Sequence, residues 1–157
     1  YLMTMTHRLY TPDASIPAKV FFQLDSVSCS PLLAHSQIAN GLTTDVIAEL
    51  SRQLDMDVAF LCRVMGIDRT TFQRRAKNAD PAKRTLNSEQ SAKVYLFVKA
   101  MDAAIGLFEG NKQKALAWLG KPARSLGMVC PIDMLSTPAG VDAVLDLVGQ
   151  IEHGVVI

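Results

Sequence analysis

The sequence contains no uncharged apolar run approaching the roughly 18–20 residues that a helix needs to cross a bilayer. Its opening stretch, YLMTMTHRLYTPD, is also too poor in continuous apolar residues to act as a secretory signal. A cytoplasmic location without membrane contact is expected. Cysteine is scarce, and Cys29, Cys62 and Cys130 stand at spacings that match no metal-ligand or redox motif. Cys62 and Cys130 lie in apolar surroundings and read as small core fillers in a reducing compartment. Histidine is equally sparse: His7, His35 and His153 are scattered away from any pattern of carboxylate and nucleophile, so no hydrolytic triad can be assembled. No cofactor or metal is expected. A net excess of charge is missing too, because 16 Lys and Arg meet 15 Asp and Glu. Overall balance therefore argues neither for nor against nucleic acid.

What is present is apolar surface and an uneven distribution of charge. With 49% hydrophobic side chains, 157 residues can bury one sizeable core or two small ones joined by a short linker. Residues 63–84 carry Arg63, Arg69, Arg74, Arg75, Lys77, Lys83 and Arg84 against only Asp68 and Asp80. Residues 125–157 carry Asp133, Asp142, Asp146 and Glu152 and no Lys or Arg. The middle is basic and the end acidic.

The periodicity is helical nearly throughout. Residues 1–29, with Pro12 and Pro17 among polar residues, form a partly ordered arm; within it KVFFQLDSV is ambiguous, and Val20, Phe21, Leu24 and Val27 favour a helix over a strand. SPLLAHSQIANG offers Ser30 as a cap, Pro31 in the first turn and Gly41 as a stop. Thr43 and Thr44 are capping candidates for a stripe of Val46, Ile47, Leu50 and Leu54. Val58, Leu61, Cys62 and Met65 precede Gly66, and Asp68 can cap a following helix that carries Phe72 and Ala76. The segment NADPAKRTLN, residues 78–87, has a proline and no apolar period and marks the expected boundary between a domain over 30–84 and another over 85–157. Beyond it Asn87 or Ser88 caps a long helix through Val94, Phe97, Val98, Met101, Ile105 and Phe108, which should stop at Gly110. Asn111 opens a shorter helix bearing Ala115, Leu116, Trp118 and Leu119, ended by Gly120 and Pro122. Pro131 and Pro138 each fit a first turn. Val141, Val144, Leu145, Val148 and Ile151 form the last stripe before Gly154. Convincing strands, repeats and low-complexity tracts are absent, and the expected fold is all-α.

The turn at Gly66 carries the functional signal. A helix-turn-helix needs an abrupt stop with positive φ between two helices packed through apolar residues, and Gly66 between Met65 and Ile67 meets that need. If Phe72 and Ala76 point inward, Arg69, Thr70, Gln73, Arg74 and Lys77 face outward. Arg can bond guanine bidentately, Gln can read adenine, and Thr or Lys can fix a phosphate. The bland alternative is a short basic helix whose charges are merely solvated. Arg75, three residues from Phe72, lies beside the buried face, where a salt bridge, a partner contact and a base contact all remain open. One such unit covers little DNA, so a dimer on a palindromic site is expected.

GIDRTTFQRR, with Arg69, Thr71, Phe72, Arg74 and Arg75, resembles the Xre/ParS-type antitoxins. ALAWLGKP, SLGMVCPIDMLST and GVDAVLDLVGQIEHGV match that family's toxin-binding domain in order and spacing, and the resemblance runs from about residue 40 to the C-terminus. One departure is Met128, where the family usually has a second glycine after the one matched by Gly127. The resemblance implies a non-enzymatic antitoxin whose partner is a RES-domain toxin that consumes NAD. It further implies that the C-terminal domain obstructs the toxin's active site, and that the helix-turn-helix represses the shared operon through operator DNA as a homodimer or within a larger toxin–antitoxin complex.

Single residues divide between core and contact. Trp118, Leu126, Pro131, Ile132 and Leu135 read as seals of a small core, and Gly127 and Gly140 as backbone requirements. Val155, Val156 and Ile157 follow the helix stop with no period to bury them. An exposed apolar end beside an acidic helix suits a toxin-binding wedge, the alternative being docking back on its own domain. The competing function is a stand-alone DNA-binding regulator without a toxin. A small enzyme has no constellation behind it.

Overall fold

The computed structural model describes Phe22, Leu24, Ser26–Ser28 and residues 30–154. The described residues form seven α-helices and no strands beyond isolated bridges: α1 Pro31–Asn40, α2 Asp45–Leu54, α3 Val58–Met65, α4 Arg69–Ala76, α5 Ser88–Leu107, α6 Lys112–Leu119 and α7 Pro138–Glu152. None of these helices is long and apolar enough to cross a membrane.

The architecture is built around α5. Its start is fixed by a reciprocal cap, in which the Asn87 side chain accepts from the Gln90 N–H at 2.7 Å and the Gln90 side chain accepts from the Asn87 N–H at 3.1 Å. Val94, Phe97, Ala100, Met101, Ala104 and Ile105 are all inaccessible to solvent. From Gln90 to Leu107 only Lys99 is exposed, which makes the helix central, and α1, α3, α6 and α7 all pack against it. One contiguous apolar cluster runs from Phe22 through Ile47, Leu61 and Phe97 to Val144. The segment 78–87 holds a short 3-10 turn at Pro81–Lys83, whose first turn is capped by Asp80.

Several starts and stops depart from expectation. Leu24 and Val27 form a tight antiparallel bridge, and Phe22, Leu24 and Val27 are buried in the core without belonging to a helix. The Phe22 N–H donates to Asp102 Oδ1 at 2.7 Å, a tertiary bond that replaces the helical ladder; Val20 and Phe21 lie outside the described residues. Ser30 and Thr44 hold the N-cap positions of α1 and α2, but neither side chain caps. Thr44 is buried, and its N–H is satisfied by the Arg84 carbonyl at 2.9 Å. The long helix ends at Leu107 rather than at Gly110, because Glu109 and Gly110 both turn left-handed and the Gly110 N–H returns to the Ile105 carbonyl at 3.0 Å. In α7 Leu147 is buried while Leu145 and Ile151 are half-buried.

Candidate functional site

The residues around Gly66 assemble as two short helices with a sharp joint. Asp57 caps α3 by accepting from the Ala59 N–H at 3.2 Å. Gly66 then adopts φ 69°, its N–H returns to the Arg63 carbonyl at 3.2 Å, and the Ile67 N–H reaches the Cys62 carbonyl at 2.8 Å. This bonding closes the last turn of α3 and turns the chain out of the helix axis. Only glycine fits, since a Cβ there would be strained by the positive φ and would stand 2.9 Å from the Ser136 carbonyl oxygen. Lys93 Nζ donates to the Gly66 carbonyl at 2.8 Å and fixes the joint from α5.

Asp68 starts α4. Its carboxylate accepts from the Thr71 hydroxyl at 2.9 Å and the Thr70 N–H at 3.0 Å. These bonds, the Thr71 hydroxyl first, hold the carboxyl below the usual carboxylate range. Leu61, Cys62, Met65, Ile67 and Phe72 are buried between the two helices and the body. Cys62 is thus a core filler, and burial pushes its thiol up against the opposing pull of the Arg69 charge.

The outward face is where the basic residues divide. Arg69, Thr70, Arg74 and Lys77 are exposed, and Gln73 between them is half-buried. Steps of about 100° per residue bring these five within an arc of roughly 140° on the side away from Phe72. Three other cations of the basic segment are used inside the chain. Arg63 lies over the Phe60 ring at 5.0 Å, Arg84 Nε donates to the Asn78 carbonyl at 2.8 Å, and Arg75 Nη1 donates to the Thr85 carbonyl at 3.1 Å. The face left to solvent carries donor types that can bond base edges and phosphates.

A second candidate surface lies at the other end. Trp118 packs against the core and is half-buried; its ring meets that of Phe108 at a tilt of 56° with 6.3 Å between centroids. It walls a cleft of about 360 Å3 with Lys121, Pro122, Arg124, Leu147 and Ile151. A loop beside it is closed by the pairing of Ala123 with Val129, and there Gly127 and Met128 both adopt φ 66°. Met128 is 63% exposed and Val129 39% exposed. The reading of Trp118 as core holds on one side of the ring, and the cleft that its other side walls was not foreseen in the sequence. The departure at Met128 was the available signal. Pro131, Ile132 and Leu135 are buried as expected and Leu126 is half-buried. Gly140 is a backbone requirement, since a Cβ would overlap the Met134 carbonyl oxygen. Val155, Val156 and Ile157 lie outside the described residues; the described chain ends past α7 at Gly154, φ 68°.

Comparison with known proteins assigns both halves. Residues 33–99 match the Antitoxin Xre-like helix-turn-helix domain, and residues 103–154 match the Antitoxin Xre/MbcA/ParS C-terminal toxin-binding domain. Antitoxin Xre of Photorhabdus laumondii is 30% identical over 150 residues, covering 95% of this chain and 99% of that protein. Antitoxin Xre of Yersinia enterocolitica is 35% identical over 118 residues, covering 75% of this chain and 77% of that protein. The chain belongs to the Xre family of antitoxins, non-enzymatic proteins that pair a helix-turn-helix with a toxin-binding domain.

Proposed function

We propose that the chain neutralises a RES-domain toxin that consumes NAD, and represses its own operon by placing α4 in the major groove of operator DNA. The observation that carries the DNA half is the division of the basic segment. Arg75 and Arg84 are engaged by main-chain carbonyls, while Arg69, Thr70, Arg74 and Lys77 remain exposed on a capped helix, with Gln73 among them. Arg69 and Arg74 suit guanine edges or phosphates, Gln73 an adenine, and Thr70 and Lys77 phosphates. A homodimer, alone or within a larger toxin–antitoxin complex, supplies the second half-site that one such short helix cannot.

The toxin half rests on the matched C-terminal domain and its apolar surface. The Trp118 cleft and the neighbouring Met128 and Val129 offer a docking surface. Val155, Val156 and Ile157 act as the wedge that obstructs the toxin's NAD site. A cytoplasmic location belongs to the same proposal, and the lack of a membrane-crossing helix among the described residues is in keeping with it. The match of residues 103–154 to a toxin-binding domain favours this reading over a regulator without a toxin partner.

Coexpression with a RES-domain toxin tests this reading. The full chain should restore growth and cellular NAD, whereas a chain lacking residues 154–157 should fold normally and restore both only in part. Full rescue by the truncated chain would remove the wedge.

A further inference from the structure

Arg75 lies three residues beyond Phe72, on the flank of α4 that turns back towards the body of the protein. Its Nη1 donates to the main-chain carbonyl of Thr85 at 3.1 Å, and its Nε is buried. That carbonyl belongs to a crossing of two short segments. Thr43 pairs with Thr85, the Leu86 N–H donates to the Leu42 carbonyl at 2.7 Å, and the Thr44 N–H donates to the Arg84 carbonyl at 2.9 Å. The Leu42 N–H donates in turn to the buried Ser91 Oγ at 2.9 Å, at the start of α5. Through one guanidinium, the last turn of α4 is therefore tied to the start of α2 and to the central helix.

α4 needs such a tie. It is eight residues long, too short to persist alone, and Phe72 is its single buried side chain. The Gly66 joint and the Asp68 cap hold its first turn, whereas beyond Phe72 the apolar contact of its far end is the small, partly buried Ala76. A charged donor on a fixed carbonyl is stronger and more directional than an apolar contact. The loop that presents this carbonyl is itself braced, since Arg84 Nε donates to the Asn78 carbonyl at 2.8 Å. Hydrogen bonds to base edges weaken steeply with misalignment, so the tilt of α4 decides whether they form. Phosphate contacts from long side chains tolerate more.

We infer that Arg75 is a positioning residue: it fixes the tilt of α4 and so sets the discrimination between operator and other DNA without touching DNA itself. This rests on the reading of α4 as a groove-entering helix. The test uses the full chain and its Arg75→Lys variant on two duplexes across a salt series. One duplex is the DNA upstream of the chain's own coding sequence and the other has random sequence. Lys keeps the charge but replaces the planar fork by a single point donor. Arg75→Lys should bind the upstream duplex roughly ten- to hundred-fold more weakly, as expected for losing a charge-assisted hydrogen bond. Its affinity for random DNA should stay within about two-fold, and its salt slope should equal that of the wild type. A fraction of unfolded protein weakens both duplexes equally and cancels in their ratio, so an unchanged ratio overturns the proposal whatever the cause of weaker binding. The proposal also falls if Arg75→Ala lowers the salt slope by about 0.9 while Arg75→Lys restores it, because that is the signature of a phosphate contact. A wild-type chain that fails to prefer the upstream duplex removes the DNA reading itself. That result is distinct from one in which wild type and Arg75→Lys discriminate equally.

Discussion

Met128 holds a backbone conformation, φ 66°, that a β-carbon makes costly, and its side chain is 63% exposed, so little burial compensates. Left-handed backbone costs a non-glycine residue roughly 1–2 kcal/mol. Glycine would recover that and give back about 0.5–1 kcal/mol through the greater freedom of the unfolded chain. Met128→Gly should therefore raise stability by about 0.5–1 kcal/mol in denaturant unfolding. If it also weakens neutralisation of the toxin, the strain is tolerated because the Met128 side chain and its neighbour Val129 make the contact. A loss of stability in Met128→Gly would mean that the loop around Gly127 rests on the methionine, contrary to its exposure.

Among the elements, α4 depends most on local bonds, and the Asp68 cap makes that dependence visible to pH. The carboxyl is held below its ordinary value by the Thr71 hydroxyl and the Thr70 N–H, so the folded state favours the ionised form. Its contribution is complete above the unfolded value of about 3.9 and is lost as pH falls through the lower folded value. Amide protection in α4 should be constant above about pH 5 and decline at lower pH; Asp68→Asn should remove the acid-dependent part of that decline. Equal acid sensitivity in both proteins would show that the cap does not govern the helix. The same locality explains what the sequence reveals. A glycine at the end of α3 and an aspartate before α4 act through neighbours two or three residues away, so the joint and its outward residues are legible in residues 57–77. The boundaries that misread are those set from far along the chain. Phe22 is bonded to Asp102 outside any helix, and the Thr44 N–H is satisfied by Arg84; the partner of Arg75, which its place beside Phe72 left open, is the Thr85 carbonyl. The cleft side of Trp118 belongs with these, because whether a lone tryptophan that packs on a core also walls a cleft depends on where α7 runs, and its own helix does not say.

At the scale of the whole molecule, one continuous core supports two separate surfaces. The apolar cluster passes from the Phe72 side to Val144 through α5, which spans the seam between the two family matches. The exposed basic face belongs to α4, and the Trp118 cleft to α6, α7 and the loop between α6 and Pro131. Because the two surfaces share no residue, disabling one should leave the other intact. The most direct test is Arg69→Ala with Arg74→Ala in one full-length chain. Its binding to the upstream DNA is followed across a salt series, and its binding to the toxin is measured in parallel. The account predicts that operator binding is abolished, or that its salt slope falls by about 0.9 for each phosphate no longer neutralised, with toxin affinity unchanged. Equal affinity of wild type and double variant for the operator would contradict it.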